Sequence, residues 1–321
     1  MLNRRQLRIK ALQALYAHFQ SESTDVAKTE KQLISSLDRL YDLYIYQLSF
    51  LTAIHRFAEE SLEASKNKYI PTPDDLNPNT RFIENKFLHQ LDANLDFRRK
   101  EDALKINWAD AQDIIRKIVH NFRSSKAYVN YMGKEETNYD MDKDIVIALL
   151  RNHIINNDVL RSYFEEINSM WSEDFYMSFA LVIITIHGYT ENTDIAKPLP
   201  PLYKGEKEGR FAEDKRFLLD LVRYTIANSD DYDKIIEKKA TNWEFDRIAT
   251  MDLILMRMGM TELFKFPTVP LKVTLNEIIE LAKHFSSPRS SIFINGLLDR
   301  TIADGLKNKT IVKEGRGLVS Q

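Results

Sequence analysis

Arg4, Arg5, Arg8 and Lys10 open the chain, with no acidic residue up to Ser21 to neutralise them. Cations in the first turn of a helix face the positive end of its macrodipole and oppose the helix by about 0.3–1 kcal/mol each. A sequence selected for folding alone would put Asp or Glu there. Arginine forks match phosphate oxygens, and each neutralised phosphate releases counterions, so the cluster points to a polyanion at that end. A solvated charged terminus, or a surface touching acidic neighbours, is the alternative that the cluster alone leaves open.

Other chemistry has little to stand on. The chain has no cysteine, which removes disulfides, thiolate metal sites and cysteine nucleophiles, and fits a reducing cytosol. No glycine-rich phosphate loop and no HExxH pair occurs among its residues. Asn138, Asp140, Asp142 and Asp144 alternate like the start of a calcium loop, but Ile145 and Arg151 stand where such a loop needs glycine and glutamate. That stretch reads as an acidic turn capping a helix. No cofactor, no metal and no catalytic residue is expected.

The 321 residues carry 44% apolar side chains, enough for a substantial core. Lys and Arg nearly balance Asp and Glu, leaving a net charge of -2, so any nucleic-acid surface must be local. The basic start lacks the apolar run of a secretory signal and is expected to stay on the mature protein. The apolar stretch around Leu48 to Ile54 is interrupted by polar side chains and too short to span a bilayer, so no membrane association and a cytoplasmic location are expected.

The elements that position these residues read as helices. The nine prolines cluster at 71–78, 198–201 and 267–288, leaving long proline-free stretches. Leu7, Ala11, Ala14, Leu15 and His18 define the inward face of a first helix capped by Asn3. Leu33, Leu37, Leu40, Tyr44, Leu48 and Leu51 step by three and four along a long second helix. Further helices are predicted over 80–99, 109–132, 142–156, 159–170 and 174–187, followed by a linker or exposed loop over 188–209. Beyond it the pattern predicts helices over 212–227, 231–240 and 247–264. A capping box at Thr274 and Glu277 opens a helix to Phe285, and a last helix starts at Ser290 or Ser291. The tail after Gly305 reads as polar and frayed.

Four segments carry a family resemblance. The run from Arg4 to Tyr16 resembles the arginine-rich opening of the NusB family, ending in QALY. Met256 to Leu263 is similar to its LRxAxxEL helix, and Val273 to Lys283 to its VxINExxELAK segment. Phe293 to Asp299 is similar to FVNGVLD, and order and spacing agree throughout. The resemblance covers residues 1–21 and 211–306. It implies an all-α protein, a NusB-like helical bundle with a large helical insertion over 22–210 between the first helix and the C-terminal bundle, and a polar tail over 307–321.

The function so implied is transcription antitermination by a non-enzymatic factor. Such a factor binds boxA-type single-stranded RNA of ribosomal RNA leaders together with the ribosomal small-subunit protein that acts as Nus factor E. The pair joins the RNA polymerase antitermination complex. Arg4, Arg5 and Arg8 match the family's arginine motif, and Lys10 adds a cation where that motif varies. Arg257 matches the helix arginine, and Phe293 and Asn295 match the FVNG turn, where a ring stacks a base and an amide reads its edge. Arg289 stands in the preceding loop where an acidic residue is common in the family. Tyr16 and Asp252 occupy positions that in the family lie toward the protein partner. Taken singly, Phe293 and Tyr16 also fit core aromatics, and Arg257 fits a core-edge residue with its head in water. The competing function is a helical protein-protein scaffold whose RNA binding is reduced or lost.

Overall fold

The computed structural model describes residues 2–136, 138–203, 213–240 and 244–318. It is all-α, with no strand among the described residues. The chain forms two compact units, unit 1 over residues 36–202 and unit 2 over 2–35 with 203–321. The boundaries expected from sequence were 21/22 and 210/211; the second of these, and the KGEKEG stretch at 204–209, lie outside the described residues.

Helix α1 (Arg4–Gln20) belongs to unit 2, and α2 (Val26–Lys66) begins there and runs on into unit 1. The rest of unit 1 comprises α3 (Pro73–Leu76), α4 (Lys86–Asp92), α5 (Leu95–Ala103), α6 (Gln112–Arg123), α7 (Lys126–Met132), α8 (Tyr139–Leu149), α9 (Asp158–Ile167) and α10 (Phe175–Gly188). A π-turn over Leu150–Ile154 extends α8.

The stripe on α2 understates its burial. Leu43, Ile45 and Phe50 are buried along with Leu40, Tyr44 and Leu48, so most of the α2 surface in unit 1 is covered. Phe50 of α2 meets Trp108 and Phe164 edge to face, and Phe164 is tilted against Phe175. The Trp108 indole donates to Ser49 Oγ at 2.9 Å, and Ser49 donates to Glu101 at 2.6 Å, so the buried polar atoms are satisfied in a chain.

Two long helices expected from sequence are each broken. The stretch 80–99 becomes α4 and α5 because Asn85 and Asn94 accept the amide hydrogens of Leu88 and Phe97 at 3.0 and 2.9 Å. Ser125 does the same for Tyr128 at 3.2 Å and starts α7. Short polar side chains that cap the next helix interrupt it without proline. Asn138 caps α8, as the acidic-turn reading expects, while Asp142 is buried and accepts from Tyr131 Oη at 2.6 Å and the Lys86 amide at 2.9 Å.

The segment expected as a linker or exposed loop after Gly188 is exposed over most of 190–198, as expected, and is pinned to the rest of unit 1 at a few points. Asn94 donates to the Lys197 carbonyl at 2.8 Å, the Leu199 amide donates to Asp96 at 2.9 Å, and Tyr189 and Leu199 are buried.

Unit 2 continues with α11 (Glu213–Ala227), α12 (Ser229–Lys239), α13 (Thr250–Lys265), α14 (Leu271–Phe285) and α15 (Pro288–Lys307). Helix α13 is its axis, buried continuously from Ile254 to Leu263. Helices α1, α11, α12, α14 and α15 surround it. The capping box expected at Thr274 is not made: α14 starts a turn earlier, behind Pro270, and Thr274 donates to Glu262 while Glu277 meets Arg5. The described part of the tail, to Leu318, is docked and not frayed, since Ile311 and Lys313 are buried and Lys313 Nζ donates to the Glu262 and Phe266 carbonyls at 3.1 and 2.9 Å. No helix among the described residues is long and apolar enough to cross a membrane.

Candidate nucleic-acid interface

Asn3 and Gln6 form a reciprocal capping box at the start of α1, each side-chain oxygen accepting the other's amide hydrogen at 2.9 Å. That fixes the helix end from which the arginines project. No acidic residue lies in the first turn, yet the cations are answered by carboxylates from other helices of the same unit. Arg4 pairs with Glu213 at 2.8 Å and Asp214 at 3.1 Å, and its guanidinium lies 4.3 Å from the Phe217 ring centre. Arg5 donates twice to Glu277, at 2.8 and 2.9 Å, and those bonds hold the Glu277 carboxyl below its usual value.

Arg8 is different in kind. Its side chain is 2% exposed and donates to both oxygens of the fully buried Glu262, at 2.5 and 2.7 Å. Burial works against the Arg8 charge, but the Glu262 hydrogen bonds together with the negative charges of Glu262 and Glu277 outweigh it, so the guanidinium stays charged. Lys10 is also buried. Arg257 is 8% exposed, paired in two-point fashion with Asp233 at 2.8 and 2.6 Å, and stacked 4.4 Å from the Phe19 ring centre. Arg8, Lys10 and Arg257 are therefore built into unit 2 and are not presented to solvent.

The outward-facing part of the expected site is α15. Ser287 caps it, Pro288 takes its first position, and Arg289, Phe293 and Asn295 lie within it, so neither a preceding loop for Arg289 nor an FVNG turn exists. The helix begins two or three residues earlier than expected because the Ser287 hydroxyl accepts the Ser290 amide hydrogen at 3.2 Å. Helical spacing aligns Arg289, Phe293, Gly296 and Arg300 along one ridge, with Asn295 off to one side. Arg289 is exposed and, among the described residues, unpaired; Phe293 and Asn295 are half-buried. Asn295 donates to Asp299 at 3.2 Å. Arg300 is the residue that sequence reading missed, and its spacing of seven from Phe293 was the available signal.

Of the two residues expected toward a protein partner, Tyr16 is 40% exposed on α1. Asp252 is buried and accepts the Ser286 hydroxyl at 2.5 Å, tying the start of α13 to the α14–α15 junction. No group of side chains among the described residues is arranged to hold a metal.

The charge is segregated between the units. Unit 2 carries a net +5 and unit 1 a net -7, which together give the chain's -2. The near-neutral total thus hides a cationic unit, and that unit holds α1 and α15.

Comparison with known proteins gives the same direction. Residues 180–303 match the model of the NusB family. That span contains Asp252, Arg257, Arg289, Phe293 and Asn295 but not the arginines of α1 or Tyr16. The chain is 47% identical over 103 residues to the transcription antitermination protein NusB of Salinibacter ruber, covering 32% of this chain and 64% of that protein. The Chloroherpeton thalassium protein of that name is 42% identical over 105 residues, 33% of this chain and 50% of its own length. The chain thus spans between half and just under two thirds of these two relatives. The NusB of Geobacter sulfurreducens is 40% identical over 114 residues, 36% of this chain and 82% of its own length. No solved structure matches the chain. An all-helical unit built on α13, and a relative matched over most of its own length, establish that the chain belongs to the NusB family.

Proposed function

We propose that this chain is a non-enzymatic antitermination factor of the cytoplasm that binds boxA-type single-stranded RNA of ribosomal RNA leaders. It does so with the ribosomal small-subunit protein acting as Nus factor E, and the pair joins the RNA polymerase antitermination complex. The observation that carries this reading is the exposed ridge of α15, where an unpaired arginine, an aromatic ring and a second arginine follow one another in a family-matched helix. Stacking on a ring flanked by phosphate contacts is how single strands are held.

Arg4, Arg5, Arg289, Phe293 and Asn295 are the direct RNA contacts in this proposal, with Arg300 added. Arg8, Lys10 and Arg257 position α1 and α13 beneath them. Tyr16 faces the ribosomal protein, and Asp252 acts on that face through Ser286.

The test is a titration of the protein with a boxA strand and a scrambled strand, with and without the ribosomal partner. The proposal expects the boxA strand to bind more tightly and the partner to widen the difference. Equal affinities in the presence of the partner reject it in favour of a helical protein scaffold. The pairing of Arg4 and Arg5 with Glu213 and Glu277 is the observation that would then explain the loss of RNA binding.

A further inference from the structure

We propose that unit 1 carries a phosphate-binding surface of its own, the outer face of α6 continued at the start of α7, and that it holds the backbone of RNA. Between Asp113 and Glu135 the chain has no carboxylate and carries Arg116, Lys117, His120, Arg123, Lys126 and Lys134. This run sits in the unit whose net charge is -7, against the local trend.

Helix α6 turns Ile115, Ile118, Val119 and Phe122 into the core. Arg116, His120 and Arg123, spaced by four and three, share an exposed ridge on its flank, with Lys117 further round on the outer side. At about 1.5 Å per residue the two arginines stand roughly 10 Å apart along it, a linear array that fits a polymeric anion. Arg116 has one acidic neighbour, Asp113, at 3.2 Å, with both side chains largely in water where such a pair contributes little. No carboxylate among the described residues pairs with Lys117, Arg123 or Lys126.

Folding alone accounts for part of this pattern. His120 and Arg123 in the last turn of α6 complement its macrodipole, as Asp113 does in the first. Arg116 and Lys117 in mid-helix gain nothing from the dipole, and Lys126 at the first position of α7 opposes it. A surface kept for solubility intersperses both signs. Helix α5 of the same unit does so: Arg98 meets Asp92 and Glu101, and Arg99 and Lys100 both meet Asp96. On α6 only Arg116 has a carboxylate partner among the described residues, and Arg123 donates to the Ala58 carbonyl at 3.4 Å.

The choice of RNA over an acidic protein rests on the proposed function; the surface itself does not. The test is binding of the full chain to poly(U) over a salt series, comparing the native protein with R116Q/K117Q/K126Q and with R116K/K117R/K126R. At about 0.7 per single-strand contact, the glutamine variant loses roughly 2 from the slope of log affinity on log salt, while the charge-keeping variant binds as the native protein does. Lys117→Glu alone, at an exposed site, weakens poly(U) binding in the same assay while melting at the native temperature. An unchanged slope in the glutamine variant overturns the proposal. So does a native chain that binds polyglutamate and not poly(U), which assigns the face to an acidic protein. Arg289→Gln in unit 2, titrated with a boxA strand, separates the two readings, since failure of that site leaves the α6 slope difference in place.

Discussion

The Arg8 guanidinium and the Glu262 carboxylate form a two-point ion pair at 2.5 and 2.7 Å in the interior of unit 2, joining α1 to the central helix α13. Thr274 Oγ1 adds a hydrogen bond to the same carboxylate at 3.2 Å, and Lys313 holds the Glu262 backbone carbonyl. An arginine that sequence grouped with surface cations is thereby a structural strut.

Breaking a buried pair leaves one charge stranded, at a cost of about 3–5 kcal/mol. Arg8→Ala and Glu262→Gln are each expected to destabilise the protein on that scale in urea denaturation. The double variant Arg8→Met with Glu262→Leu is expected to recover a large part of the loss. An Arg8→Ala protein as stable as the native one would remove the strut from the account.

Arg5 is the converse case. Its side chain is 47% exposed, so its pair with Glu277 contributes no more than about 1 kcal/mol, and Arg5→Gln is expected to melt close to the native temperature. In RNA binding the two partners separate: Arg5→Gln weakens affinity several-fold and flattens the salt slope by about 0.7, whereas Glu277→Gln frees Arg5 and strengthens binding. Affinity unchanged in both variants would show that α1 does not touch RNA.

Loss of a stacked base costs about 1–3 kcal/mol, so Phe293→Ala is expected to weaken boxA binding by roughly 5- to 150-fold. Arg289→Glu and Arg300→Gln are expected to weaken it as well, with steeper dependence on salt for neither. Anisotropy titrations of the three variants check the ridge, and a Phe293→Ala protein that binds as the native one does would break it.

Tail docking carries a pH signature. Burial pulls the Lys313 ammonium from its ordinary 10.5 down to about 8. Between those values the unfolded chain binds more protons than the folded one, so stability contributed here rises with pH from about 8 upward and is flat below. Lys313→Met is expected to abolish that slope in denaturation curves compared at pH values on either side of 8. Gly317→Ala tests the same segment sterically, because a Cβ there would lie 2.1 Å from the Pro267 carbonyl oxygen. It is expected to undock the tail and lower the melting temperature.

Periodicity alone determined the helical class and most helix positions: the stripe from Leu33 to Leu51 is a long buried helix, and Leu7, Ala11 and Leu15 face the core. The order of four motif segments determined the family. Tertiary structure decided which polar residues remain available. Arg4, Arg5, Arg8 and Arg257 are indistinguishable by type, yet each finds its carboxylate in α11, α14, α13 or α12, at separations no local pattern reveals. Thr274 and Glu277 looked like a cap because their spacing permits one, and long-range partners took them instead. Caps and periodicity are written in neighbouring residues, whereas the pairing of a charge depends on which distant helix is packed against it.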